Sequence, residues 1–482
     1  MLRRTKILAT LGPATDDPQV LDKLIEAGLD VVRINFSHGV AADHRKRVEM
    51  VRDRARAHGR QIGVLVDLQG PKIRIEKFKN NKIELAEGDK FTLDAECPTD
   101  DGDQHRVGIA YKTLPNDVKR GDTLLLDDGR IVFWVENVSG PRIECKVVVG
   151  GFLSDRKGIN LQGGGLSAPA LTEKDRKDIK LAAELEADYM AVSFPRTADD
   201  VKEARYLLQE AGGYAGIVAK IERAEALDVL EEIIEASDAV MVARGDLGVE
   251  IGDAELPAVQ KHIIQLSRSL NRVVITATQM MESMIENPIP TRAEVFDCAN
   301  AVLDGTDAVM LSAETATGKY PDKAIAAMDR VCLEAEKQHS VRVSDHRINT
   351  EFERIDEGIA MAAMYTANHL NVKAIAALTE SGATALWMSR ISSDRPIYAL
   401  TSHVETRRKV TLFRGVYPIS FKPESSNHPQ VNRDAINELV SRGAVRDGDL
   451  VIITKGDLMG VGGGANAMKV VRVGELAEAG ED

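Results

Sequence analysis

Eight short apolar runs recur along this chain, at residues 6–11, 31–36, 62–67, 189–194, 216–221, 239–244, 273–278 and 308–313. Each ends in polar residues, and most are followed by a stretch with helical periodicity. Eight alternating strand and helix units predict an α/β fold built on a (β/α)8 TIM barrel with a parallel sheet. In that architecture the active site forms where the strands end. The ends here carry Arg33, Asn35, Ser37, Asp67, Lys220, Glu222, Asp246, Thr278, Ser312 and Glu314.

The rhythm breaks after the third run. Between Asp67 and Tyr189 helical periodicity almost vanishes, and short strand-like pieces replace it at 82–85, 90–93, 106–109, 123–126, 130–135 and 142–149. Asp127, Asp128 and Gly129 between two of them form a hairpin turn signal. Residues 71–168 therefore read as an all-β domain inserted after the third strand. That loop lies on the active-site face, so the insert is placed to act as a lid. Barrel rhythm resumes near Ala168, giving a catalytic barrel of residues 1–70 and 169–340. A polar stretch at 337–354 leads to a third region, 341–482, where helices alternate with apolar runs at 374–379, 396–400, 416–421, 450–454 and 468–473. This predicts an open, mostly parallel α/β sheet.

Composition sets limits on partners. A chain of 482 residues exceeds one core, so several domains are expected. Its net charge of −13 argues against a general nucleic-acid binder, although a locally basic site still attracts anions. No apolar run approaches the ~20 residues of a membrane span. The basic start reads as the entry to the first strand rather than as a leader. Cys97, Cys145, Cys298 and Cys332 are scattered without metal-type spacing and are expected to be free thiols of a reducing, cytoplasmic compartment.

The strand ends suggest a chemistry. Adjacent strands bring Glu222 and Asp246 to one rim, and two carboxylates with few other side-chain ligands suit Mg²⁺. The alternative is a helix cap for Asp246 and an ion pair for Glu222 with Lys220. Lys220 shares a strand face with Glu222 and projects inward, where an ammonium stabilises a transferring phosphoryl group or a developing enolate. Arg33, Asn35 and Ser37 alternate onto one face, and arginine matches phosphate oxygens as a bidentate donor. No phosphate-binding P-loop pattern occurs, so a nucleotide would bind through the rim, a metal and the lid.

These features gather in a series of motifs: KILATLGP at 6–13, RINFSHG at 33–39, KIE at 220–222, MVARGDLG at 241–248, ATQMMES at 277–283, PTRAE at 290–294 and LSAETATG at 311–318. Their order and spacing resemble the pyruvate kinase family over the whole chain. The resemblance implies phosphoryl transfer from phosphoenolpyruvate to ADP, giving pyruvate and ATP, the last step of glycolysis. It implies that Glu222 and Asp246 bind Mg²⁺, with Mn²⁺ as an alternative ion, and that Lys220 stabilises the transferring phosphoryl group and the enolate. Arg33 and Arg74 then match phosphate contacts, and Thr278 matches the threonine implicated in enolate protonation. Ala243, Arg244, Gly245, Asp246 and Ser312 match substrate-side positions, with the amides of Gly245 and Asp246 holding a carboxylate at a helix start. Asn35, His38 and Lys157 match nucleotide-side positions. Other enzymes acting on phosphoenolpyruvate or pyruvate on a similar barrel are the competing class, and a non-catalytic relative is the second.

One departure stands out. Members that need K⁺ hold it through residues matching Asn35, Ser37, Asp67 and the backbone of Leu68, and carry an acidic residue where this chain has Lys72. A fixed ammonium replaces the charge of the ion, which predicts activity without K⁺; the alternative is that Lys72 only contacts the lid hinge. In the third region Thr379, Ser381, Gly382 and Thr384 follow a strand and open a helix, forming either a phosphate cradle or an ordinary N-cap. The resemblance makes this an allosteric site, and the segment is closer to members answering to sugar monophosphates or AMP than to fructose 1,6-bisphosphate. The glycine-rich loop at 460–464 is either a cover for that effector or a flexible turn. A homotetramer is implied by resemblance alone.

Overall fold

The computed structural model describes residues 2–339, 342, 351–423, 428–457 and 464–475. Strands β1 (Lys6–Thr10), β2 (Val31–Asn35) and β3 (Gly63–Asp67) begin a barrel. The chain then departs into β4 (Lys82–Leu85), β5 (Lys90–Asp94), β6 (Arg106–Gly108), β7 (Thr123–Leu126), β8 (Ile131–Ser139), β9 (Arg142–Val149), β10 (Gly151–Ser154) and β11 (Ile159–Leu161). It returns through β12 (Tyr189–Val192), β13 (Gly216–Ile221), β14 (Ala239–Ala243), β15 (Val273–Ala277) and β16 (Ala308–Leu311). Parallel hydrogen bonding closes the barrel in the order β1-β16-β15-β14-β13-β12-β3-β2. All eight expected runs are strands. Six end one or two residues short of the apolar run, where the backbone turns into the rim loops.

Strand periodicity explains what reaches the barrel interior. Val32, Val64, Val66, Ala219, Val240 and Val274 face outward into one apolar cluster with the surrounding helices. Their neighbours Val31, Leu65, Val218, Met241 and Ile275 face inward into a second cluster. Successive side chains alternate across a strand, so Arg33, Asp67 and Lys220, two residues beyond Val31, Leu65 and Val218, continue the inward face. The interior is apolar at the floor and charged at the rim.

The insert is a six-stranded sheet, β11-β7-β8-β9-β5-β6, beside a β10-β4 pair. It has its own apolar core, which includes Phe91 packed on Phe133 at 5.5 Å between ring centroids. The β7–β8 hairpin turns on Asp127, Asp128 and Gly129, all with positive φ (50°, 56° and 83°), the conformation that Asp and Gly tolerate best. The sequence reading missed the short strands β10 and β11 and ended β8 too early. A helix over Glu173–Glu184, with a capping box of Thr172 and Asp175, restores the barrel rhythm before β12.

The third region forms a sheet of β17 (Ala374–Leu378), β18 (Ile397–Thr401), β19 (Val416–Ser420), β20 (Leu450–Gly456) and β21 (Ala465–Arg472), ordered β19-β18-β17-β20-β21. β21 runs antiparallel to β20, and the other pairs are parallel. Residues 460–463 of the glycine-rich loop lie outside the described residues. Side chains of this region, including Ala363, Met364, Ile375, Val416 and Ile452, join the inner barrel cluster and close the floor. Polar contacts cross the same boundary. Lys6, at the start of β1, donates to the Val416 carbonyl at 2.6 Å and lies over the Tyr417 ring, and burial lowers its pKa to about 8.

Another of these contacts is a buried ion pair. Arg390, just past the helix Ala383–Ser389, donates to Asp307, just before β16, with Nη1 2.9 Å from Oδ2. Both residues are almost fully buried. Arg390 also donates to the Arg272 carbonyl at 2.7 Å, and Asp307 accepts the Val274 amide at 3.0 Å and the Arg414 amide at 3.2 Å. Breaking one side of such a pair strands the other charge. Arg390→Met is expected to destabilise the protein by about 3–5 kcal/mol. The double variant Arg390→Met with Asp307→Asn should lose less. Urea unfolding of the two variants checks this, and an equal loss in both would show that the stranded charge is not the cause.

Candidate active site

Asp67 ends β3 and is almost fully buried. Its Oδ2 accepts Arg33 Nε at 2.7 Å and Nη2 at 2.6 Å, and its Oδ1 lies 3.4 Å from Lys220 Nζ. Burial alone would raise its pKa, but Lys220 and Arg33 outweigh burial and lower it. Lys220 also sits 2.8 Å from Glu222 Oε1 and donates to Ser193 Oγ at 2.8 Å. Desolvation pulls the pKa of Lys220 down, yet Asp67 and Glu222 raise it overall, so the ammonium stays charged. Glu222 Oε2 accepts the Phe194 amide at 2.8 Å. Burial raises the pKa of Glu222, and the nearby Asp246 charge pushes in the same direction.

Asp246 lies in the first turn of the helix Arg244–Ile251, which β14 delivers to the rim. Its Oδ1 is 3.1 Å from Lys72 Nζ. The Lys72 ammonium thus reaches a barrel carboxylate. Thr278, just past β15, adopts φ = 69°, and Gln279 follows at 54°. A β-branched residue with positive φ is a true outlier and costs of order 1–3 kcal/mol, so its surroundings must hold it there. Its Oγ1 accepts the Gly245 amide at 2.9 Å and donates to the Ala277 carbonyl at 2.6 Å. One of the two amides expected at a carboxylate thus donates to Thr278. The Ser312 amide donates to Glu314 Oε2 at 2.6 Å.

The structure brings Arg33, Asp67, Lys220 and Glu222 together at one end of the barrel, with Asp246 and Lys72 beside them and Thr278 next to Gly245. Other expected residues lie further out. Arg74 donates to the Arg156 carbonyl at 2.8 Å at the base of the insert, and Lys157 pairs with Asp127 at 2.7 Å within the insert. His38 is exposed, and Asn35 Oδ1 accepts the Ser37 amide at 3.0 Å. Leu68 is buried, and its carbonyl accepts Ser193 Oγ at 2.8 Å. Ala243 is buried at the end of β14, and the buried Arg244 turns its guanidinium onto its own chain. In the third region Thr379 Oγ1 accepts the Gly382 amide at 2.9 Å and Ser381 Oγ accepts the Ala383 amide at 3.4 Å. Gly382 has φ = 86°, and Thr384 is buried.

The sequence reading passed over two contributors. Ser193, at the tip of the fourth run, bridges Lys220 and the Leu68 carbonyl; its place at a strand end was the available signal. Glu250 accepts the Ala224 amide at 2.9 Å and Asn160 Nδ2 of β11 at 3.4 Å, linking insert and barrel. Nothing in the sequence marked that pairing. Insert and rim face each other across a cleft of about 640 Å³, lined by Leu125, Asp128 and Gln162 on one side and Gly245, Asp246 and Gln279 on the other.

A lysine and an arginine at the barrel rim, with carboxylates beside them, can neutralise and align phosphoryl oxygens. The comparisons agree with that class. A family model described as pyruvate kinase, barrel domain, matches residues 2–325, and one described as pyruvate kinase, alpha/beta domain, matches residues 357–471. Pyruvate kinase II of Salmonella typhimurium is 56% identical over 476 residues, covering 98% of this chain and 99% of the relative. Pyruvate kinase of Haemophilus influenzae is 56% identical over 475 residues, covering 98% of each chain, and that of Mycobacterium intracellulare is 42% identical over 477. The fold and rim are those of a phosphotransferase. The chain belongs to the pyruvate kinase family.

Burial raises the pKa of Glu250 to about 7, and the Glu225 charge adds to the rise, against the Ala224 amide, Asn160 and Arg223. The folded state therefore holds this proton from the usual carboxyl range up to about pH 7, whereas the unfolded chain has already lost it. Stability contributed here is complete at low pH and falls as pH rises through about 7. Glu250→Gln should remove that loss and gain of order 1–3 kcal/mol over the native chain at pH 8 relative to pH 5. Unfolding midpoints measured across that range test it, and a difference independent of pH would contradict it.

Proposed function

We propose that this enzyme transfers the phosphoryl group of phosphoenolpyruvate to ADP in the cytoplasm, with Lys220 as its central electrostatic group. The observation that carries the reading is the buried, charged Lys220 held between Asp67, Glu222 and Ser193 at the barrel rim. Phosphoryl transfer asks chiefly for alignment and charge neutralisation, and Lys220 with Arg33 supplies both. Arg74 and Lys157, on the insert, add phosphate and nucleotide contacts with Asn35 and His38. Thr278 stands beside Gly245 as the group nearest the enolate carbon, and Gly245, Asp246 and Ser312 face the substrate. In this division of labour residues 1–70 and 169–340 catalyse, 71–168 cover the site and 341–482 regulate it.

A divalent ion fits this rim. Burial above all, and the Asp246 charge after it, raise the pKa of Glu222, and two such neighbouring carboxylates suit Mg²⁺ or Mn²⁺ with the remaining positions left to water and substrate. Among the described residues no three His, Cys, Asp or Glu side chains gather to hold a metal. The bound ion would neutralise phosphoryl charge. K⁺ is proposed to be dispensable. Asp67 already faces two cations, and the Lys72 ammonium adds a fixed positive charge at the rim.

The loop of Thr379, Ser381, Gly382 and Thr384 is proposed to take the phosphate of a sugar monophosphate or AMP. Its support is the left-handed Gly382 between a strand and a helix start; the Gly382 and Ala383 amides here donate to the Thr379 and Ser381 hydroxyls, and a phosphate would take them over. A homotetramer is proposed on family grounds. Among the described residues no helix is long and apolar enough to cross a membrane.

Pyruvate formation from phosphoenolpyruvate, ADP and Mg²⁺ tests the reading. The native chain should turn over fully in K⁺-free buffer, and Lys72→Glu should become dependent on added K⁺. Lys220→Met should lower kcat by about 10²–10³-fold, the worth of one oxyanion donor. Normal turnover in Lys220→Met would remove the central assignment, and a native enzyme that requires K⁺ would remove only the Lys72 argument. In a binding titration, glucose 6-phosphate or AMP should saturate at lower concentration than fructose 1,6-bisphosphate; the reverse order would overturn the effector assignment.

A further inference from the structure

We propose that Arg244 is a positioning residue that holds Thr278 in its reactive conformation, rather than a contact to substrate. Its guanidinium is buried, and its donors are all directed at its own chain. Nε lies 3.2 Å from both the Ala277 and Thr278 carbonyls, and Nη2 lies 2.6 Å from the Thr278 carbonyl and 2.9 Å from Met280 Sδ. Nη1 lies 2.7 Å from Asp297 and 3.4 Å from Gln260. A planar fork with donors on both edges is the group that can gather successive carbonyls on one side and a carboxylate on the other.

The conformation being held is an unfavourable one. Thr278 and Gln279 both take positive φ, which β-branched and long side chains avoid. The turn redirects the carbonyls of Ala277 and Thr278 out of the strand direction, and Arg244 receives both. The next residue, Gly245, donates its amide to Thr278 Oγ1, and that hydroxyl donates back to Ala277. Thr278 is thus fixed through its carbonyl by Arg244 and through its hydroxyl by Gly245. Asp246 follows in the same turn of helix, so one short segment sets the position of both the hydroxyl and a carboxylate of the rim. Lysine offers no such fork, and its single ammonium cannot serve both carbonyls and Asp297 together.

The inference rests on the reading of Thr278 as the group at the enolate carbon, and the test separates the two. The full-length enzyme is assayed for kcat and KM with phosphoenolpyruvate, and for solvent deuterium entering the methyl group of pyruvate in the presence of ATP and Mg²⁺. Arg244→Lys and Thr278→Ala should each lower kcat and deuterium entry by about 10²-fold, with KM for phosphoenolpyruvate little changed, as expected for a misplaced reacting group. The double variant should lose no more than either single one. Losses that multiply in the double variant, or normal deuterium entry in Arg244→Lys beside slow entry in Thr278→Ala, would overturn the clamp and leave Thr278 in place. Normal entry in Thr278→Ala would overturn the Thr278 reading and the clamp with it. Should Arg244→Lys fail to fold, Asp297→Asn releases the far edge of the guanidinium and should give a smaller loss in the same pattern; unchanged kcat and entry there would also count against the clamp.

Discussion

Asp67 is the charge around which the rim is assembled. It is buried at the end of β3, and it faces Arg33 from β2 and Lys220 from β13. Two buried cations at one barrel mouth would repel strongly without it, because charges in a low-dielectric site interact far more than in water. With it, both are paired and fixed before any ligand arrives. Electrostatic stabilisation of this kind is effective because the groups need not reorganise during reaction. Replacing Asp67 would therefore disturb Arg33 and Lys220 at once, the two groups that the proposed reading sets against the phosphoryl oxygens.

The barrel places these charges by alternation, and the third region makes that possible. Inward residues at the floor are apolar and need cover, while inward residues at the rim are charged and need access. The β17–β21 sheet with its helices closes the floor and leaves the other end open. The Arg390–Asp307 pair and the Lys6 contact fix this arrangement at the strand starts. Those are the ends opposite the charged rim, so the third region touches the barrel through the same strands whose far ends hold the rim. β16 follows Asp307 directly and leads to Ser312, and β1 runs from Lys6 to Thr10, whose hydroxyl lies 3.1 Å from Arg33. Small movements of packed elements carry along strands of this kind because close-packed cores do not deform continuously.

Much of this was legible in the sequence, for a physical reason. Strands of a parallel barrel are buried on both faces, so they stand out as apolar runs, and the residue that ends each run necessarily lies at the rim. Lys220, Glu222, Asp67 and Arg33 could be placed from that rule alone. Identities of partners could not. Lys72 reaching Asp246, Ser193 bridging Lys220 and Leu68, and Glu250 meeting Asn160 join segments from 27 to 174 residues apart across the lid and barrel, or between strand tips. No local pattern encodes such meetings. Arg244 illustrates the same limit: its position marked it as a site residue, but only the fold reveals that its guanidinium turns toward Thr278.

The rim also contains a charge balance that bears on how it works. Arg33, Lys72 and Lys220 face Asp67, Glu222 and Asp246, three positive groups against three negative. Each carboxylate is thereby matched without any ligand. On the proposed reading a divalent cation and an anionic substrate enter together, so the sum stays near neutral while the pairings change. Unit charges 4 Å apart at an effective dielectric of about 20 interact by about 4 kcal/mol, so a lysine and a metal compete seriously for one carboxylate. Glu222 and Asp246 would pass from holding Lys220 and Lys72 to holding the ion, and the two ammonium groups would turn to the oxygens of the substrate. The same two carboxylates then serve as counter-ions in the free enzyme and as ligands in the loaded one. That exchange favours joint entry of cation and anion over entry of either alone, because each alone leaves a buried charge unmatched.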